Sequence, residues 1–214
     1  MTLQAVLSLL GFFTIVLTLF IQWQIYVTRA AATFAASSLL IAAALLYAGI
    51  VDDEPLVILL GLLTGAVRGI LIPLLVVNSL HVRPWRAREQ RPVIKTATSI
   101  LISLLCVLGG YGLYRFALVQ VIPAENGFLP FSLFLQGSFL IISKRNAFIQ
   151  MIGYLVMENA VLLLGSLVFP GLPLVIEAGV VLDLLGIVVV ARIIMQMRET
   201  SVEEAGERFE RLKG

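Results

Sequence analysis

Residues 56–80 read LVILLGLLTGAVRGILIPLLVVNSL, an apolar run bounded by Asp52-Asp53-Glu54-Pro55 on one side and His81 on the other, and carrying one charge, Arg68. Crossing a hydrocarbon core takes about 20 predominantly apolar residues, so the run is long enough to span a bilayer. A soluble amphipathic helix of this length would present a continuous polar face. Here the polar residues are too few to form one, and the run reads as a membrane helix with an arginine near its middle.

Similar runs recur on both sides of it. The expected spans are about 3–24, 30–50, 56–80, 96–120, 128–143, 147–169 and 172–197, divided by turn-forming or charged breaks at Arg29, Asp52 to Pro55, His81 to Lys95, Pro123 to Gly127, Lys144-Arg145-Asn146 and Pro170-Gly171. The 214 residues are 60% hydrophobic and only 13% charged, with a mean hydropathy of +1.03, whereas average soluble domains carry about 25% charged residues. The expected fold is therefore an all-α integral membrane protein, a bundle of about seven transmembrane helices. Residues 1–197 would form one transmembrane domain and 198–214 a short cytoplasmic tail, in which Ser201 and Glu204 resemble a capping box. The apolar N-terminus lacks the basic leader and small-residue cleavage site of a signal peptide, so it is expected to stay as the first span.

Orientation follows from the basic residues. Arg29, then Arg83, Arg86, Arg88, Arg91 and Lys95, then Lys144 and Arg145, fall in the first, third and fifth loops, and none falls in the second, fourth or sixth. Lys and Arg are retained on the cytoplasmic side. An odd number of spans, with the N-terminus outside and the C-terminus cytoplasmic, satisfies every loop and the basic tail. The net charge of +2 thus marks topology rather than a nucleic-acid surface. With one cysteine, Cys106, inside an apolar run, and one histidine, His81, the chain is expected to hold no cofactor, metal or disulfide of its own.

Four ionisable residues lie within spans and away from their ends: Arg68, Glu158, Glu177 and Asp183. At about 1.5 Å per residue, Arg68 lies roughly 18 Å from the outer end of its helix, and Asp183 and Glu158 roughly 17 Å from the outer and inner ends of theirs. All three come near the middle of a core about 30 Å thick, with Glu177 closer to the outer face. Each such residue costs about 2.5–3.5 kcal/mol on insertion scales, so it should face the protein interior and pair there. The surroundings fit: Gly61, Gly65 and Gly69 form a small-residue stripe around Arg68, Gly179 and Gly186 flank Asp183, and Asn159 and Ser166 add polar atoms to the sixth helix. Pro73 lacks an N–H, which frees the carbonyl of Gly69 beside Arg68. Two readings stay open: a buried ion-pair network that only fixes packing, and a set of carboxylates that relay protons across the membrane's middle.

Lys144-Arg145-Asn146, Gly153-Tyr154-Leu155-Val156-Met157-Glu158-Asn159, Glu177-Ala178-Gly179 and Asp183 together resemble the C-terminal half of the hydrogenase-4 component E family. Those proteins are multi-pass subunits of membrane-bound group 4 nickel–iron hydrogenases and formate hydrogenlyases. The span with Arg68 and Pro73, the overall length and the closing Leu212-Lys213-Gly214 are also similar to that family, so the resemblance covers nearly the whole chain. It further implies that residues 128–197 form a three-helix unit similar to the K-type subunit of complex I and the C-type subunit of multisubunit cation/proton antiporters. In those machines, carboxylates on such helices contribute to a mid-membrane polar path. By position, Glu158 lies about one turn from the K-type subunit's first carboxylate, on roughly the same face, and Asp183 lies close to its second. One residue departs from the family's pattern, Arg68, where the family has a lysine. Lysine can lose its proton when buried and arginine does not, so exchange would fall to Glu158, Asp183 and Glu177, with Arg68 as a fixed charge.

The resemblance implies a non-catalytic subunit of a complex-I-like hydrogenase in the cell (inner) membrane. Its partners would be antiporter-like and anchor subunits, and its proton pathway Glu158, Asp183, Arg68 and Glu177, supported by Asn159, Gly179, Gly186 and Pro73. The alternative is a structural adaptor that joins antiporter-like subunits to the hydrogenase anchor without conducting protons. A stand-alone transporter is disfavoured, because the spans show no inverted repeat with paired broken helices.

Overall fold

The computed structural model describes residues 3–81, 93–120, 126–168, 179–189, 191, 192 and 195, with the backbone alone at 81 and 168. Among the described residues seven helices follow one another: α1 (Leu3–Trp23), α2 (Val27–Val51), α3 (Pro55–Leu80), α4 (Thr96–Leu118), α5 (Phe128–Ser143), α6 (Ala147–Val168) and α7 (Gly179–Val189). No strand occurs among the described residues. Five helices, α1 to α4 and α6, are long and apolar enough to cross a membrane, and α5 and α7 are shorter apolar helices. The expected spans agree with these helices to within a few residues, except for the seventh. There the expected range of 172–197 extends beyond the described helix on both sides.

Local chemistry explains the helix boundaries. Pro55 occupies the first turn of α3, where a missing N–H costs nothing, and the extended Glu54 precedes it. The turn before it is closed by Asp52 N–H to the Ala48 carbonyl and Glu54 N–H to the Gly49 carbonyl, both at 2.9 Å. Between them Asp53 takes a left-handed φ of 55°, a conformation that aspartate tolerates better than most residues. Within α3 the sequence does not announce one feature: residues Gly65–Leu71 form a π-helical segment between two α-helical stretches. The Ile72 N–H reaches back five residues to the Val67 carbonyl, and Pro73 follows directly. Because Pro73 cannot donate, the ladder is already broken at this turn, and widening it is the less costly local solution.

Small residues set how closely the helices approach. A Cβ on Gly61 would lie 3.0 Å from the Leu46 nitrogen and 3.1 Å from the Ala42 carbonyl, so α3 touches the backbone of α2. Gly137 of α5 and Gly153 of α6 meet reciprocally, each with its missing Cβ under 3 Å from the other's carbonyl (2.8 and 2.9 Å). This is the close crossing that small residues permit in membrane helices. α6 is the most enclosed span and α4 the least. On α4, Leu101, Leu104, Leu105 and Leu108 point outward, a face suited to acyl chains rather than water. The connections after α1, before α4 and after α5 come together at one end: the Lys144 ammonium donates to the Gln22 carbonyl at 3.2 Å, and the Val93 N–H to the Ser143 carbonyl at 3.0 Å. At the opposite end, Asn126 Nδ2 donates to Ser8 Oγ at 3.1 Å.

Candidate functional site, a buried arginine and two carboxylates

The π turn of α3 carries Arg68, the largest fully buried side chain among the described residues, into the interface with α6 and α7. Its guanidinium meets three partners. Nη2 lies 2.9 Å from Glu158 Oε2, Nε forms an ion pair with Asp183 Oδ1, and Nη1 donates to Asn159 Oδ1 at 3.1 Å. Arg68 is 0%, Glu158 3% and Asp183 1% exposed, so the pairing takes place away from solvent and from the outer surface of the bundle.

Neighbouring polar groups hold the partners in turn. Thr64, one helical turn before Arg68, donates from its hydroxyl to Asp183 Oδ2 at 3.0 Å, so α3 grips both oxygens of that carboxylate. Asn159 Nδ2 donates to Ser38 Oγ at 3.0 Å, which ties the cluster to α2. Glu158 meets the guanidinium through Oε2, and Tyr154, one turn earlier on α6, approaches the same carboxylate with its phenol. Glycines make the room. A Cβ on Gly186 would come within 3.5 Å of Glu158 Oε2, and one on Gly179 would press on Leu60 and Leu162.

The charge count defines what this arrangement can do. Arg68 stays protonated in any protein setting, so one fixed positive charge faces two carboxyl groups. With both ionised, the buried cluster carries a net negative charge; one added proton neutralises it. Charges in low dielectric interact strongly, and the cost of an unbalanced one is correspondingly high. Asp183 is held on both oxygens by an ion pair and a hydroxyl, and Glu158 is engaged by the guanidinium through Oε2 with the Tyr154 phenol beside it.

Of the residues singled out in the sequence, Arg68, Glu158, Asp183 and Asn159 converge here, Gly179 and Gly186 line the α7 side, and Pro73 ends the π turn. Ser166 lies elsewhere, bonded to the Leu163 carbonyl of its own helix. Glu177 falls outside the described residues. Thr64, Ser38 and Tyr154 join the cluster although the sequence does not single them out as site residues. Thr64 and Tyr154 stand four residues before Arg68 and Glu158, a spacing that puts them on the same faces, while Ser38 has no comparable signal. Among the described residues no group of three or more His, Cys, Asp or Glu side chains could hold a metal ion.

Over 157 residues, 70% of this chain and 69% of the other, the sequence is 30% identical to the uncharacterized protein Rv0085 of Mycobacterium tuberculosis. No family model and no solved structure matches it. The identity and the share of both chains it covers place this helical membrane protein in the family of Rv0085.

Proposed function

We propose that this chain is a non-catalytic membrane subunit of a complex-I-like hydrogenase, of the hydrogenase-4 or formate hydrogenlyase type, in which Glu158 and Asp183 pass protons and Arg68 sets their affinity. The observation that carries the reading is the buried triad: an arginine that cannot deprotonate, flanked by two carboxylates on different helices, with capacity for one neutralising proton. A carboxylate beside Arg68 stays ionised; one displaced from it into apolar surroundings takes up a proton. A small relative movement of α6 or α7 against α3 therefore couples conformation to proton uptake. By its place in the sequence, Glu177 would continue the path toward the outer side. The full topology is seven spans, with the N-terminus outside and the C-terminus cytoplasmic, in the cell (inner) membrane. It is supported by the meeting of the Lys144 turn with the connections after α1 and before α4 at one end of the bundle.

The test is to replace Glu158→Gln, Asp183→Asn and Arg68→Ala in the assembled complex and to follow hydrogen evolution and proton pumping in vesicles. The relay reading expects pumping to fall with the complex intact, and unchanged pumping would contradict it. Mild detergent extraction tests the machine itself, since hydrogenase and antiporter-like subunits should co-purify. Isolation of the chain alone would overturn that assignment.

The second reading, a structural adaptor, is favoured by the way all three nitrogens of the guanidinium are engaged, as in a packing lock. It expects the same substitutions to abolish assembly rather than pumping.

A further inference from the structure

A second set of buried polar side chains lies in the seam where α1 packs against α4 and α5, and it shares no residue with the Arg68 cluster. At the basic end, Ser99 Oγ donates to Gln22 Oε1 at 2.8 Å, and the Lys144 ammonium donates to the Gln22 carbonyl. One level deeper, Gln136 Nε2 donates to Ser103 Oγ at 3.2 Å, and beyond it Ser132 Oγ donates to the Val107 carbonyl at 3.1 Å. Ser99, Ser103 and Val107 on α4, like Ser132 and Gln136 on α5, are four residues apart, which separates the levels by about 6 Å.

Most of these bonds are what any pair of membrane helices uses to hold together. Two atoms are not accounted for in that way. Gln22 Nε2 and Gln136 Oε1 have no hydrogen-bond partner, although both side chains are 0% exposed. Reversing either amide exchanges which atom is left over without removing it. A buried donor on one level and a buried acceptor on the next are each the kind of group that bound water satisfies. The level nearest the surface also contains Lys144, 2% exposed and, among the described residues, hydrogen bonded to a neutral carbonyl and paired with no carboxylate.

We propose that the α1–α4–α5 seam is a water-binding site: a file of water held by Gln22 and Gln136 that carries hydration from the buried Lys144 ammonium toward the middle of the membrane. Such a file gives protons a route that touches neither Arg68 nor its carboxylates. It does not depend on the hydrogenase reading, because it rests on the unpartnered amides alone.

The experiment is solid-state NMR on the unmodified protein in lipid bilayers, labelled with nitrogen-15 at glutamine, with magnetisation transferred from water to the side-chain amides. Gln22→Met and Gln136→Met assign the two signals, and the exposed Gln120 is the wet reference. Signals from Gln22 and Gln136 that build up as fast as that of Gln120 are the expected result. Build-up only at the slow rate of transfer through protein would overturn the proposal. In Gln136→Leu, transfer to Gln22 should fall at least two-fold. Undiminished transfer would mean that water reaches Gln22 from the surface only, and the file would be excluded.

Discussion

Arg68 is costly to bury and more costly to leave unpaired. Removing one partner of a buried ion pair typically destabilises by about 3–5 kcal/mol, because the remaining charge keeps its desolvation penalty. Arg68→Ala should therefore destabilise the detergent-solubilised protein by that order in thermal or denaturant unfolding. Repeated in an Asp183→Asn background, the same change should cost less by about 0.5–3 kcal/mol, the range expected for residues in contact. Lys144 offers an independent prediction. It sits in the connection after α5, and burial holds its ammonium below the usual lysine value. Between the folded and unfolded values the unfolded chain binds more protons, so stability rises with pH across the window just below the usual value and is lowered at neutral pH. Lys144→Met should flatten that slope and raise the neutral-pH midpoint, as measured by thermal unfolding across the alkaline range.

At the scale of the helix, the π turn and the glycine crossings decide where those side chains point. Pro73→Ala restores a backbone donor and removes the reason for a wide turn, so Arg68 should swing off its partners. The expected loss is about 1–3 kcal/mol, together with a weaker coupling to Asp183 in a double-mutant cycle. Gly153→Val forces a side chain against the Gly137 carbonyl and should cost a similar amount through overpacking, read as a lower unfolding midpoint. The element scale also explains what was legible in advance. Apolar run length fixed the helices, because hydrocarbon thickness imposes it, and the insertion cost of Arg68, Glu158 and Asp183 required that they be sheltered. Which of them would touch was not legible, since that depends on helix rotation. A π turn shifts the rotation by a residue, and Pro73 alone marked it. Ser38 carries no periodic signal, and the four-residue spacings of Ser99 with Ser103 and of Ser132 with Gln136 mark a shared helix face without showing which helix it meets.

In the whole molecule, the described residues include a polar seam at α3–α6–α7 around Arg68 and another at α1–α4–α5 around Gln22 and Gln136. The connections after α1 and α5 and the described residues just before α4 meet at one end of the bundle. Single cysteines introduced in a Cys106→Ala background at Arg145 and at Asp53 should react with an impermeant thiol reagent from opposite sides of sealed vesicles. Labelling from the same side would refute the proposed orientation. The proposed relay requires the carboxylates of the buried triad to take up one proton. It is tested most directly by pH-difference infrared spectroscopy of the reconstituted protein, read at the C=O stretch of protonated carboxyl groups. The expected result is a titrating carboxyl band that disappears in Glu158→Gln and persists in Glu54→Gln. A spectrum in which Glu158→Gln removes no titrating band from a correctly folded protein would contradict it.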